Sequence, residues 1–179
     1  MSTWDRTQHW DHVYATKRET EVSWFEPEAS LSHGLIRAWS ESTADALIDI
    51  GGGASRLVDA LLEAGYSDVT VLDLSKEALE ASKRRLCGRS SDVNWIVAAV
   101  TDWQPSRRYH IWHDRAAFHF LTAANDQVAY VARLEKALHS GGYAIIGTFA
   151  LNGPAMCSGL PVARYDAEHW GGRSRQALP

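Results

Sequence analysis

Cysteine is scarce in this chain of 179 residues: Cys87 and Cys157 are its only two. Two thiols are too few for a disulfide framework, and their spacing is not that of metal ligands, so both read as free and no metal is expected. Also missing is any apolar run near the roughly 20 residues that a membrane-spanning helix needs. The amino terminus, Met1-Ser2-Thr3-Trp4-Asp5-Arg6, lacks the apolar core of a signal peptide, so the expected compartment is cytoplasmic. Excess positive charge is absent too. The net charge is −4, and the densest cationic cluster, Lys83-Arg84-Arg85 with Arg89, falls at the end of a predicted helix, where it suits the macrodipole. Nucleic acid is therefore not the expected partner. At 45% hydrophobic and 22% charged the composition is that of a globular protein, and the length suits one domain with a sizeable core.

What is present centres on Ala46-Leu47-Ile48-Asp49-Ile50-Gly51-Gly52-Gly53-Ala54-Ser55. An apolar β-branched run meets a glycine cluster and then an amphipathic helix, which reads as strand, tight turn, helix. Such a turn needs glycine where the backbone takes positive φ or lies directly against a ligand, and the next helix offers unpaired N–H groups there. A purely structural turn usually needs one glycine, not three. A dinucleotide fold would read Gly-x-Gly-x-x-Gly over a pyrophosphate. Here the third glycine position is Arg56, and Asp49 stands two residues before the first glycine. That carboxylate would repel a pyrophosphate and attract an ammonium group. A ligand with a ribose and a cationic amino-acid end fits better than NAD.

Twenty residues after Gly53, Asp73 closes a second apolar run, Val69-Thr70-Val71-Leu72. An acid at the end of the second strand holds ribose hydroxyls in this architecture; the plain alternative is that Asp73 only opens the next helix. With these residues the chain resembles the class I S-adenosylmethionine-dependent methyltransferases. Their first motif is an acid, one residue, then Gly-x-Gly-x-Gly, and their next strand ends in an acid. Here the motif reads Asp49-Ile50-Gly51-Gly52-Gly53-Ala54-Ser55, with Ser55 replacing the last glycine, and the acid follows Leu72. The resemblance spans about residues 8 to 166. It implies S-adenosyl-L-methionine as cofactor and S-adenosyl-L-homocysteine as product. It further implies an α/β fold, a doubly wound, Rossmann-like and mostly parallel sheet in three α/β/α layers.

Alternating elements support that fold. Pro27 opens a predicted helix to about Ser40 with Leu31, Leu35, Ile36 and Trp39 inward. Leu57, Val58, Leu61 and Leu62 line the next helix, which Gly65 stops. Ser75 caps another, which ends at Gly88. Strands follow at Val93 to Val97 and Tyr109 to Asp114, then a helix from Asn125 to His139 with Val128, Val131, Leu134 and Leu138 inward. A last strand, Tyr143 to Phe149, reads as buried on both faces.

Upstream, residues 4 to 25 carry Trp4, Trp10, Tyr14, Trp24 and Phe25 among charges, and Trp10, Val13 and Tyr14 share a helical face. These rings either form a flap over a cofactor or cap the core. The pattern Trp10-Asp11-x-x-Tyr14, an acidic run, then Trp24-Phe25 is similar to small methyltransferases near the elongation-factor lysine methyltransferases, which favours the flap.

The residues expected to hold the cofactor are Asp49, Gly51, Gly52, Gly53, Asp73, Leu74, Val100, Thr101, Asp102, Asp114 and Trp24. By the resemblance, an acid after the third strand receives the adenine amino group. Ala99 stands in its place, leaving Asp102 or backbone groups near Val100. Asp114, in a motif resembling the family's Asp-Arg pair, is expected at the methionine end or the acceptor; otherwise it pairs with Arg115 or caps a helix. Asp114 and His119 are the catalytic candidates, although a lone histidine such as His113 or His119 is more often structural. His110 replaces an acid that relatives carry.

Family members add a helix and an antiparallel strand pair after the fifth strand. Here only Tyr165-Asp166-Ala167-Glu168-His169-Trp170 precedes a polar end, 171 to 179, with no strand pattern. The chain thus divides into an aromatic flap and helix (1–40), a cofactor-binding core (44–150), and a substrate-side loop with a short tail (151–179). The bare fifth strand would need cover from 151–179 or from a second subunit, the alternative being a truncated form with impaired activity. Methyl transfer is an in-line displacement that needs a base only for a protonated acceptor. The expected activity is methyl transfer to a small molecule or a protein side chain, with the loops Arg115 to Thr122 and Ala150 to Tyr165 on the acceptor side. The rival readings are a non-catalytic S-adenosylmethionine-binding module and, against Asp49 and Arg56, an NAD-dependent oxidoreductase.

Overall fold

In the computed structural model, residues 3–22, 24–115 and 117–166 are described; the expectations for Ala167 to Trp170 and for 171–179 lie outside them. The chain begins with α1 (Thr3–Thr16) and α2 (Ser30–Trp39). It continues through β1 (Leu47–Ile50), α3 (Leu57–Glu63), β2 (Val69–Asp73), α4 (Lys76–Leu86), β3 (Val93–Val97) and β4 (Tyr109–Arg115). Then come α5 (Ala124–Ala137), β5 (Leu138–Gly147) and a small hairpin, β6 (Met156–Cys157) with β7 (Leu160–Pro161). Among the described residues the main sheet has five strands, all parallel, in the order β3-β2-β1-β4-β5. No helix among them is long and apolar enough to cross a membrane.

The period of two along each strand sorts the side chains into two cores. Leu47, Val69, Val71 and Ile111 face Ile36, Leu57 and Leu61 on one side. Ile48, Ile50, Leu72 and Trp112 face Phe118 and Tyr130 on the other. Full burial of each such side chain contributes about 1.5–3 kcal/mol. The same alternation places Asp49, Asp73 and His113 on the first side, in step with Leu47, Val71 and Ile111, and sends Asp114 to the second. A third cluster, Trp10, Val13, Val22 and Leu160 with Trp24 and Phe120, sets the amino-terminal segment and the hairpin over the carboxyl ends of the strands.

Several expectations are corrected. Helix α2 starts at Ser30 and not at Pro27, and only Ile36 of its expected apolar face is buried; Leu31, Leu35 and Trp39 are exposed. Helix α5 likewise exposes Val128 and buries Gln127, Tyr130 and Ala137, because its inner face serves a polar network beneath β4. Strand β5 is not buried on both faces. It is the edge strand, and among the described residues nothing pairs with its outer side. Residues 163–165 meet the chain only just beyond the end of β5: Arg164 forms an isolated parallel bridge with Phe149, the Tyr165 N–H donates to the Phe149 carbonyl, and the Ala163 N–H donates to the His119 carbonyl. At the end of α4 the positive φ falls on Cys87 and not on Gly88.

The cationic end of α4 does more than suit a dipole. Arg85 donates to both oxygens of Asp59, to Glu19, to Ser82 Oγ, and to the carbonyls of Ala54 and Ser55 directly after the glycine turn. Ser82 Oγ in turn donates to the Gly53 carbonyl at 2.7 Å. Glu19 also pairs with Arg56, so one carboxylate ties the amino-terminal segment to both α3 and α4. With the Arg85 side chain 13% exposed, its removal strands the partly buried Asp59 and leaves Glu19 with Arg56 alone. Arg85→Met is expected to lower unfolding stability by about 2–4 kcal/mol; an unshifted urea midpoint would show that the clamp contributes nothing.

Candidate functional site

The three glycines build a bend that no side chain could share. Gly51 and Gly53 hold φ of 68° and 33°. A Cβ on Gly51 would lie 2.7 Å from Ala117 Cβ, one on Gly53 would lie 2.7 Å from Asp73 Oδ2, and one on Gly52 would collide with Asp49 Oδ2. The Gly51 N–H donates to the Leu72 carbonyl at 2.7 Å, which fastens the bend to the end of β2. Helix α3 begins only at Leu57, so the first helical turn stands further from the glycines than the sequence implies.

Beside this bend opens a cleft of about 820 Å³, open solvent included. Of the residues expected to hold a cofactor, Trp24, Gly51, Asp73, Leu74, Val100 and Thr101 line it. Asp49 and Gly52 line a second pocket that shares Tyr14, Trp24, Gly51 and Arg115 with the cleft. Gly53 shapes the turn from behind, against Asp73. Asp102 is exposed, takes the Thr101 hydroxyl at 3.4 Å, and lies off the cleft wall. Ala99 does line it, so no acid stands at that place on the wall.

Asp114 goes elsewhere, as the strand alternation dictates. It is fully buried, accepts the N–H groups of Ala117 and Phe118, and takes the Tyr130 hydroxyl at 2.7 Å. Tyr130 in turn accepts from Trp112 Nε1. The capping role holds, and the expected ion pair with Arg115 does not form; Arg115 pairs with Glu26 and donates to the Trp24 carbonyl. His119 is 2% exposed, stacked on Phe149, and neither ring nitrogen has a partner. Burial pushes its pKa down to about 4, so it is neutral at physiological pH. Neither catalytic candidate lines the cleft.

The aromatic amino terminus does. Trp10, Tyr14 and Trp24 line it together with Phe120, with Trp10 edge-on to Trp24 at 5.5 Å and to Phe120 at 5.1 Å. Tyr14 accepts from Trp24 Nε1, and burial drives its pKa far up, so it stays a phenol. Arg6, Arg115, Ala117, Leu121 and Cys157 complete the wall. Sequence reasoning missed Arg6; it placed Arg115 in the acceptor-side loop but gave it only Asp114 as an ion-pair partner. It also left His110 unexplained: its Nδ1 accepts the Ala46 N–H, and its ring stacks on His139.

The fold is that of the class I S-adenosylmethionine-dependent methyltransferases. The chain belongs to the methyltransferase-domain family, whose sequence profile matches residues 47–142. It is 27% identical over 104 residues to malonyl-[acyl-carrier protein] O-methyltransferase 1 of Ilyobacter polytropus, a match covering 58% of this chain and 37% of that protein. The TehB-like S-adenosylmethionine-dependent methyltransferase of Corynebacterium glutamicum superposes with a TM-score of 0.65 at 16% identity, over 97% of this chain and 81% of that one. The CcbJ methyltransferase of Streptomyces caelestis gives 0.65 at 16%, over 79% and 57%. The glycopeptide N-methyltransferase MtfA, solved with S-adenosylmethionine, gives 0.61 at 16%, over 73% and 58%. The chain thus spans little more than a third of the curated relative and under three fifths of two of these structures.

Two buried acids give the site a pH signature. Burial pushes the Asp73 carboxyl up to about 7, opposed by the Ser75 N–H and reinforced by Asp49 and Asp11. Burial likewise raises Asp114 to about 6, against the Tyr130, Ala117 and Phe118 donors. A folded-state pKa above the unfolded value means that the fold holds the proton more tightly. The stabilisation is therefore full below about pH 4 and is lost as pH rises through 6 to 7. Asp73→Asn removes the larger part of this loss. At pH 8 the variant is expected to melt several degrees above the wild type, and at pH 5 no higher; equal melting temperatures at both pH values would refute a buried charge at this position.

Proposed function

We propose that this chain transfers a methyl group from S-adenosyl-L-methionine to an acceptor admitted between the aromatic amino terminus and the loops after β4 and β5. The observation that carries the reading is the placement of Asp73, a buried carboxylate beneath Gly53 at the edge of a cleft whose other wall is aromatic. Asp73 would accept the ribose hydroxyls, with Leu74, Ala99, Val100 and Thr101 around the base. When bound, the cofactor supplies a methyl group already activated on a sulfonium. The chain's own part is to hold, orient and dry. Trp10, Trp24 and Phe120 exclude water from the acceptor side, and the glycine bend lets the backbone approach the ligand closely. Because Asp114 and His119 are turned away, we assign them no proton transfer. The acceptor's nucleophile then arrives with a free lone pair or loses its proton to solvent.

The acceptor is a small molecule or a protein side chain. A carrier-bound acyl group, as in the name of the Ilyobacter relative, belongs on the test panel beside amines. The outer side of β5, next to Trp39 stacked at 4.6 Å on Tyr143, is where a homo-oligomer would form. Light scattering is expected to give a dimer; a strict monomer at high concentration would exclude it.

Calorimetric titration with S-adenosylhomocysteine is expected to show binding and with NAD none. Asp73→Ala should weaken the former by about 2–4 kcal/mol, the loss of charged hydrogen bonds. Unchanged affinity would remove Asp73 from the ribose. Methyl release on the acceptor panel separates an enzyme from a module that only binds the cofactor.

A further inference from the structure

The cleft wall carries a cation that the cofactor reading does not use. Arg6, Trp10 and Tyr14 share one face of α1, and all three line the cleft. The Arg6 side chain is only 10% exposed, and its one polar partner among the described residues is Asp126, reached from Nη1 at 2.8 Å. A guanidinium presents a planar fork of N–H donors, and this single bond leaves most of the fork open. Burying a cation so sparsely bonded is costly unless a further partner meets it. Asp126 lies off the cleft wall, in the first turn of α5, where the helix terminus suits an acid with or without Arg6. The pair therefore keeps its anion outside the cleft and its cation within. Arg115, the other cation on the wall, is engaged by both Glu26 and the Trp24 carbonyl.

The same wall holds no imidazole and no amine, and its one carboxylate, Asp73, belongs to the ribose in the reading above. Tyr14 stays a phenol. An acceptor admitted here has to arrive with its lone pair free. A carboxylic acid does so at neutral pH, because its ordinary pKa is about 4. Its oxygen attacks the methyl carbon in line; the C–O bond forms as the C–S bond breaks, and that bonding pair stays on sulfur. Carboxylate and sulfonium become a neutral ester and a neutral thioether, and no proton moves. A transition state in which opposite charges cancel suits the apolar wall of Trp10, Trp24 and Phe120.

We propose that the acceptor is a small carboxylic acid, bound as its carboxylate and methylated to the ester, and that Arg6 is the specificity-determining residue that holds it through the open N–H donors. This rests on the methyl-transfer reading above and adds to it the chemical class of the acceptor. A carboxylate on a protein side chain shares the chemistry, and the test separates the two.

The test follows tryptophan fluorescence in protein saturated with S-adenosylhomocysteine, since Trp10 and Trp24 line the cleft. Phenylacetate, phenylacetamide and phenethylamine are the probes. Phenylacetate is expected to bind about 10-fold or more tighter than the other two. Arg6→Gln should weaken phenylacetate about 10- to 100-fold, the worth of a hydrogen bond to a charged group, and keep the affinity for S-adenosylhomocysteine; Arg6→Lys should recover part of the loss. Asp126→Asn frees the guanidinium and should leave phenylacetate binding equal or tighter, whereas an ion pair that only fastens α1 to α5 predicts the same loss from either partner. With S-adenosylmethionine supplied, mass spectrometry is expected to find methyl phenylacetate and no methyl ester on a capped glutamate peptide. The proposal is overturned by binding without preference for phenylacetate, by equal losses in Arg6→Gln and Asp126→Asn, or by an Arg6→Gln loss of S-adenosylhomocysteine that matches the loss of phenylacetate. Methyl transfer to phenethylamine or to the peptide and not to phenylacetate overturns it too. A wild-type protein that binds no S-adenosylhomocysteine defeats the cofactor reading itself, before any probe is added.

Discussion

The structure depends on one costly arrangement: a carboxylate, Asp73, buried at the end of β2 against a bend that has no side chains. Burying an acid without a cation is unfavourable, and only the N–H groups of Ser75 and Gly53 offset it. The surroundings are built to keep it in place. Ser75 is bonded both to Asp73 and to Asp11 of α1, and its hydroxyl also caps α4. Arg85 and Ser82, reaching back from α4, hold the carbonyls of Gly53, Ala54 and Ser55. A ligand offering hydroxyl donors would relieve the acid further.

What the sequence made legible follows from what local chemistry decides. The glycine bend, the acid twenty residues on, the Ser75 cap and the buried face of α3 are set by short-range rules of backbone conformation, capping and periodicity. All were readable. The errors arose where the answer depends on the far side of the sheet. Asp114 and His113 are neighbours in sequence at the end of one strand, yet the period of two sends one beneath α5 and the other to Asp49. No spacing argument ranks them without knowing which face carries the cleft. Leu31, Leu35 and Val128 read as core by periodicity and are exposed, because burial also requires a neighbour, and β5 has none on its outer side among the described residues.

The amino-terminal segment shows how far a distributed role escapes motif reading. Trp10, Tyr14 and Trp24 are joined by ring contacts to Phe120, Arg6 reaches Asp126 on α5, and Glu19 bridges Arg56 and Arg85. None of these pairs is close in sequence. Together they attach the segment to α3, to α4, to α5 and to the loop after β4, and so close the cleft from above. The same rings pack with Val13, Val22 and Leu160 and line the cleft.

The central claim is that the carboxylate at the end of β2 and the bend above it grip a sulfonium nucleoside. A crystal soaked with S-adenosylhomocysteine tests it most directly. The account predicts difference density in the cleft with both ribose oxygens within hydrogen-bond distance of the Asp73 carboxylate. Density for the nucleoside at any other place, or a cleft left empty at saturating concentration, would contradict it.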